Sequence, residues 1–317
     1  MPFEWYWYLI TIALIYVQLL ILAKIYVRIT CGRYEITQNL NGKVVLITGP
    51  TGGIGKLTAT ILAEHGATVH LLCRNVLKGE VTLEEIVHKT KNPNVFMWYV
   101  DMSRLKTIRE FVAAFNESTQ GPVDVLINSA AVAYGLELTM ATNHFGHFLL
   151  TNLLLGRLKQ SRQGRVVTLS SYLHWLGRVN FDNLNYELKY DKNSPYNDSK
   201  LCNILFTDEL ARRLRGTNVT ANSLHPGVIK TDIFQPLAWY WRPFYWHLRP
   251  FMKTLQEGCQ CTLYAALALE LSSVSGVYFT DCSLGIKAPQ ARSLQKAARL
   301  WEISETITDC KFGGNCV

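Results

Sequence analysis

Hydrophobic residues fall into three kinds of run along this chain. The first is one unbroken stretch at 5–23, WYWYLITIALIYVQLLILA, with no charge and only Thr11 and Gln18 as clearly polar side chains. Its length matches the roughly 20 residues that cross a bilayer. The second kind is short and apolar throughout: Lys43–Thr48, Thr68–Cys73, Val95–Val100, Val123–Asn128, Arg165–Ser170, Val219–Leu224 and Gly276–Thr280. Runs of this kind predict strands covered on both faces, as in a parallel sheet. The third kind has helical spacing and fills the gaps, at about 54–65, 76–90, 103–119, 137–160, 195–215, 255–271 and 289–304. Ser194, Pro195 and Gly216 mark the ends of the 195–215 helix, as cap, first-turn residue and stop.

Strand and helix in alternation predict one α/β domain, a doubly wound parallel sheet of Rossmann type, over 43–317. Before it stand a membrane anchor at 1–28 and a linker at 29–42. Trp5, Tyr6, Trp7 and Tyr8 suit one bilayer interface, while Lys24, Arg28 and Arg33 follow the other end. A cleaved signal peptide would carry its charge first and end in small residues, which this segment does not. By the positive-inside rule the domain faces the cytosol. Fifteen residues separate Arg28 from Lys43, a reach of at most about 50 Å if fully extended.

Composition narrows the classes further. With 317 residues, 49% apolar and 18% charged, the chain is long and greasy enough for a large core and is not disordered. The net charge of +8 is dispersed. Its densest cluster, Arg212, Arg213 and Arg215, follows Asp208 and Glu209 by one turn, which predicts a paired, solvated helix face and no nucleic-acid partner. The eight cysteines, at 31, 73, 202, 259, 261, 282, 310 and 316, lack zinc-site spacing and read as free thiols in a reducing compartment, with a Cys310–Cys316 bridge left open.

Chemistry enters with the first strand, which runs into Thr48-Gly49-Pro50-Thr51-Gly52-Gly53-Ile54-Gly55 and then a helix. Glycines there permit a tight turn and let backbone N–H groups approach a pyrophosphate at the helix N-terminus. A glycine turn alone says little; between strand one and helix one it predicts dinucleotide binding through Gly49, Thr51, Gly53, Ile54 and Gly55. The second strand ends in Cys73-Arg74-Asn75. An acid at that place would hold a ribose 2′-hydroxyl, whereas Arg74 accommodates a 2′-phosphate, so NADP(H) is the expected cofactor. Asp101, ending the third strand, is placed near the adenine amine or else starts the next helix. Tyr196 and Lys200 stand four residues apart on one helix face, so that the ammonium can favour the phenolate of a tyrosine whose ordinary pKa is about 10.

Taken in order, these motifs resemble the short-chain dehydrogenase/reductase superfamily from Lys43 to the C-terminus. The resemblance implies that Tyr196 is the catalytic tyrosine, that Lys200 holds the nicotinamide ribose and tunes it, and that Ser171 of Ser170-Ser171 orients the substrate oxygen. It further implies that Asn143, in Thr142-Asn143-His144-Phe145-Gly146-His147, holds a proton-relay water, and that Asn128, Pro226 and Thr231 line the cofactor. No metal is expected, and His144 and His147 read as structural. Within the superfamily, NHFGHFLLTNLL at 143–154, DSKLCNILFTDELARRLRG at 198–216, His225-Pro226-Gly227-Val228 and YFTDC at 278–282 resemble membrane-bound retinol dehydrogenases. That likeness implies apolar alcohol/aldehyde substrates of retinoid or isoprenoid type, an endoplasmic reticulum membrane, and a homodimer left open through the helices at 137–160 and 195–215.

Two departures stand out. The family's Asn-Asn-Ala-Gly is here Asn128-Ser129-Ala130-Ala131, placing a methyl where backbone nears the cofactor, and the stretch from Ala131 to Asn143 is short. Residues 234–254 are expected to be a substrate lid, rich in aromatics from Trp239 to Phe251, that touches the bilayer; a satellite core is the plainer alternative. Steroid or other lipid carbonyl reduction, or a membrane scaffold that retains only the cofactor fold, are the rival functions.

Overall fold

A computed structural model describes residues 3–133, 136–184, 194–229 and 251–313. Helix α1 spans Phe3–Thr30, long enough at 1.5 Å per residue to reach about 42 Å. It is long and apolar enough to cross a membrane, and none of its apolar stretch is buried in the fold.

Then follow β1 (Val44–Thr48), α2 (Gly53–Glu64), β2 (Thr68–Cys73), α3 (Val76–Thr90), β3 (Val95–Tyr99), α4 (Leu105–Ser118) and β4 (Val125–Asn128). Next come α5 (Leu136–Met140), a π-helical turn (Ala141–Phe145), α6 (Gly146–Gln160), β5 (Gly164–Leu169) and a 3₁₀ turn (Tyr172–Leu176). The chain closes with α7 (Ser194–Arg213), β6 (Val219–His225), α8 (Leu255–Leu267), β7 (Tyr278–Thr280), β8 (Ser283–Leu284) and α9 (Leu294–Thr308). The sheet order is β3-β2-β1-β4-β5-β6-β7-β8, parallel except for β8. The order turns back between β1 and β4, the switch point at which such sheets bind ligands beyond their C-terminal ends.

The strands form where apolar and β-branched residues run together: Val45, Leu46, Ile47, Leu126, Ile127, Val166 and Val167 are essentially inaccessible. One core cluster joins the sheet to α2, α3 and α8, and a second joins it to α4, α6 and α7. In α4, Ile108, Phe111, Val112 and Phe115 recur at helical spacing and bury one face.

Every expected strand is present to within a few residues. Besides the 3₁₀ turn at Tyr172–Leu176, four local features among the described residues were not expected. The 137–160 helix is interrupted by its π turn, 255–271 ends in a separate 3₁₀ turn, and a 3₁₀ turn at Pro289–Arg292 precedes α9. The fourth is β8, paired to β7 across a two-residue turn in which Asp281 (φ 51) and Cys282 (φ 56) are both left-handed. That is the geometry of a tight hairpin, usually written with Asn-Gly.

Helix α7 begins at Ser194 itself rather than after it. Glu209 pairs with Arg212 and Arg213 as the spacing predicts, while Asp208 binds Lys287 instead. Cys31, Cys73, Cys202, Cys259, Cys261 and Cys282 are free thiols, whereas Cys310 is disulfide-bonded. Cys316, Thr231 and residues 234–250 of the expected lid lie outside the described residues.

Candidate active site

The glycine turn leaves β1 at Gly49, where φ is +67 and an added Cβ would stand 2.8 Å from the Cα of Ala130. At Gly55 an added Cβ would stand 2.3 Å from the Gly49 carbonyl oxygen. Side chains are excluded from both positions, which keeps backbone at the surface of the turn. Gly52 precedes α2 in extended form with no side-chain cap, and the first turn of α2 carries no acid. The first N–H groups of such a helix lack intrahelical partners and favour an anion. Thr51, Gly53 and Ile54 are partly accessible along the turn. These features fit a dinucleotide pyrophosphate.

Arg74 is exposed directly after β2, and Asn75 caps α3 by accepting from the Lys78 N–H at 2.9 Å. Asp101 is nearly buried and accepts from the Ser103 N–H (3.0 Å) and hydroxyl (2.7 Å). One of its oxygens therefore shapes the turn before α4, whose N-cap is Arg104 with no side-chain bond, so Asp101 is not the helix cap that was the plainer expectation. Asn128 is buried, with its Nδ2 donating to the Thr151 hydroxyl at 3.1 Å and its Oδ1 unpartnered. Pro226 is half-buried just past the end of β6.

Ser171 follows β5 and caps the 3₁₀ turn, its Oγ accepting from the Leu173 N–H at 3.2 Å. The Tyr196 hydroxyl shares a hydrogen bond with Ser171, yet burial outweighs that bond and pushes the phenol up to about 12. Lys200 does not point its ammonium at the phenolic oxygen. Its Nζ lies 5.4 Å from the Tyr196 ring centre and donates to the Leu169 carbonyl at 3.1 Å. Burial lowers Lys200 to about 8. The helix spacing thus brings the two side chains together, but ring-face packing, not a lowered phenol pKa, is the result. Ser170, the plainer of the two serines, donates to the Lys200 carbonyl at 2.7 Å and locks α7 to β5.

Asn143 sits in the π turn with its side chain fully engaged. Its Oδ1 accepts from the Val132 N–H (2.8 Å), and its Nδ2 donates to the Val132 carbonyl (2.9 Å) and the Ser199 hydroxyl (3.0 Å). This clamp closes the short stretch between Ala131 and Asn143 and ties it to α7.

A model of the family described as short chain dehydrogenase matches residues 43–239. The chain belongs to that family. Retinol dehydrogenase 12 of Bos taurus is 45% identical over 276 residues, 84% of this chain and 86% of its own. Retinol dehydrogenase 11 of Mus musculus is 42% identical over 308 residues, 94% and 96% of the two chains. Among solved structures, an uncharacterized protein from Mycobacterium Paratuberculosis aligns at a TM-score of 0.69 with 33% identity, covering 86% of this chain and 96% of that one. A short chain dehydrogenase from Escherichia coli CFT073, solved with NADPH, shares the fold at a TM-score of 0.63 and 21% identity, over 78% of this chain and 99% of its own. As a short-chain dehydrogenase, the chain is an oxidoreductase that binds a nicotinamide dinucleotide.

A second network in this dehydrogenase leaves little trace in the sequence. His147 Nδ1 lies 3.1 Å from the Asn143 carbonyl, so it carries the proton, and Nε2 accepts from the Thr48 hydroxyl at 2.9 Å. The same Thr48 oxygen accepts the N–H groups of Ser129 and Ala130, both at 2.9 Å. The end of β1, the loop after β4 and the π turn are thereby joined. Burial holds His147 neutral, with its pKa lowered to about 4. The only signal in the sequence was a histidine four residues after Asn143. His144 is likewise structural, bound to the Ser304 hydroxyl at 2.8 Å.

Proposed function

We propose that this chain is a membrane-anchored, NADP(H)-dependent oxidoreductase that interconverts an apolar alcohol and its aldehyde, with retinol and retinal or a related isoprenoid as the pair. The observation that carries the chemistry is the meeting of Ser171, Tyr196 and Lys200 at the strand ends beside the glycine turn. The names of the relatives carry the substrate class.

Arg74 stands ready for a 2′-phosphate, and the N-terminus of α2 for the pyrophosphate. When bound, the nicotinamide supplies or accepts the hydride. Ser171 holds the substrate oxygen, and Tyr196 gives it a proton in reduction. A phenol held at about 12 is protonated at neutral pH, which suits a proton donor. Lys200 lies close enough to compensate the phenolate as it forms. Residues 1–28 anchor the enzyme in the endoplasmic reticulum with 43–317 in the cytosol.

The test is NADPH oxidation by the full chain in microsomes against a panel of apolar aldehydes, retinal included. Retinal should be turned over and small polar ketones poorly. Tyr196→Phe should keep folding and NADPH binding while losing on the order of 10²–10⁴ in rate. A wild type that binds NADPH, turns over no apolar aldehyde and matches Tyr196→Phe would instead support the scaffold reading.

A further inference from the structure

Helix α1 does not hang from a slack tether. Arg28 in its last turn is ion-paired with Glu257 in the first turn of α8. The chain then packs Gly32 so tightly that an added Cβ would stand 2.0 Å from the Asp281 carbonyl oxygen. The Tyr34 N–H donates to Gln260 Oε1 at 2.8 Å, the Tyr34 ring meets Tyr264 edge-on, and Gln38 reaches the Leu267 carbonyl at 3.1 Å. Residues 28–38 are therefore strapped along α8, starting from the edge at which the parallel strands end. The reach of about 50 Å that an extended linker would allow is not used. At 1.5 Å per residue, Lys24 lies only about 10 Å along the helix from Thr30. If α1 crosses a bilayer, that edge of the sheet is held against it.

The same edge exposes apolar side chains beside the site. In the 3₁₀ turn directly after Ser171, Tyr172, Trp175 and Leu176 are 61%, 38% and 66% exposed. The Tyr172 and Trp175 rings stack at 6.4 Å, and Tyr172 lies 5.9 Å from the ring of His225 at the end of β6. His225 in turn feels the charges of Lys253 and Asp281, the residue on which Gly32 rests. The turn is thus a neighbour of the point where the anchor docks. Amphipathic aromatics of this kind belong at a membrane interface.

We propose that Tyr172, Trp175 and Leu176 form a second membrane contact, seated in the interfacial layer of the bilayer that α1 spans. The sheet edge that carries Ser171 then faces lipid, and an apolar alcohol or aldehyde reaches it without crossing water. The proposal rests on reading α1 as a membrane span, and the experiment tests that reading separately.

The full chain is reconstituted in phosphatidylcholine vesicles with a benzophenone-bearing residue in place of Leu176, of Ile15 in α1, or of Gln120. Gln120 is exposed in the loop before β4, at the opposite edge of the sheet. Illumination should add the mass of one phospholipid at 176 and at 15, and none at 120. Labelling at 15 without labelling at 176, or equal labelling at 176 and 120, overturns the second contact. No labelling at 15 overturns the span and the proposal with it. As an independent readout, a Trp175→Ser/Leu176→Ser chain should show a KM for a long-chain aldehyde in vesicles raised roughly tenfold. Its KM for a short soluble aldehyde should not change. An unchanged long-chain KM in a variant that still binds NADPH counts against the proposal; if the variant does not fold, the photolabel decides.

Discussion

Thr48→Val isolates the network behind the glycine turn, because valine keeps the shape of threonine and removes only its hydroxyl. The structure gives that oxygen three partners at 2.9 Å: the N–H groups of Ser129 and Ala130, and Nε2 of His147. An orphaned buried group costs about 1–3 kcal/mol. Ser129 and Ala130 are only half-buried and can recruit water, so the sum should be about 3 kcal/mol rather than three full penalties. For a domain of this size that is a fall in Tm of roughly 6–12 °C. Cofactor affinity should fall too, because Ala130 is the residue against which Gly49 packs. If half the loss reaches the turn, NADPH binds about tenfold more weakly, at 1.4 kcal/mol per decade. Thermal unfolding of the full chain in detergent, with and without NADPH, and a fluorescence titration of NADPH measure both. Thr48→Ser restores the hydroxyl and should recover most of each. A Thr48→Val chain within 2 °C of the wild type, or a Thr48→Ser chain as damaged as Thr48→Val, would refute the reasoning.

Arg74→Asp should weaken NADP(H) by about 1.5–3 kcal/mol while leaving NAD(H) nearly unchanged; a wild type that already prefers NAD(H) in parallel titrations sinks that reading. Burial lowers His70 to about 4, His144 to about 3 and His147 to about 4, so between those values and about 6.5 the unfolded chain binds more protons than the folded one. Stability is then fully present above about pH 6.5 and falls with acid by up to about 1.4 kcal/mol per pH unit for each histidine, a slope that Tm against pH reads directly and that a flat profile from pH 7 to 4.5 would contradict. The sequons at Asn116, Asn197 and Asn218 should stay unmodified in sealed microsomes and the domain should be digested by added protease; full protection or a glycosidase-sensitive mass shift refutes the cytosolic orientation.

The parallel strands were legible because burial on both faces leaves a run with no polar interruption, as in Val44–Thr48 and Val125–Asn128. The glycine turn was legible because backbone packing at Gly49 and Gly55 admits no other residue. What stayed hidden depends on contacts between distant segments. Asp281-Cys282 turns the last hairpin without the Asn-Gly that would have announced it. Nothing local to Arg28 says that Glu257 will hold it. The Tyr196–Lys200 spacing predicts that the side chains meet but not which atoms do, since the Leu169 carbonyl competes for the ammonium. Asn143 could be singled out from its motif, yet its amide is taken by Val132, eleven residues before it, and by Ser199 in α7.

The Leu169 carbonyl also bears on how the proton would move. It accepts from both Lys200 Nζ and Asn203 Nδ2, each at 3.1 Å, so Asn203 still satisfies it if Lys200 leaves. Ser170 fixes the backbone of Lys200 through its carbonyl, which confines any movement to the side chain. In the reduction proposed above, Tyr196 would lose its proton inside a buried site, where an uncompensated phenolate is costly. The ammonium is already at the ring face, 5.4 Å from its centre. The neutral phenol is favoured at rest by burial, and an ammonium brought to the oxygen would favour the phenolate. In the proposed reaction, that arrangement would stabilise charge where it develops and not before, which is the condition for lowering a barrier rather than merely binding a ground state.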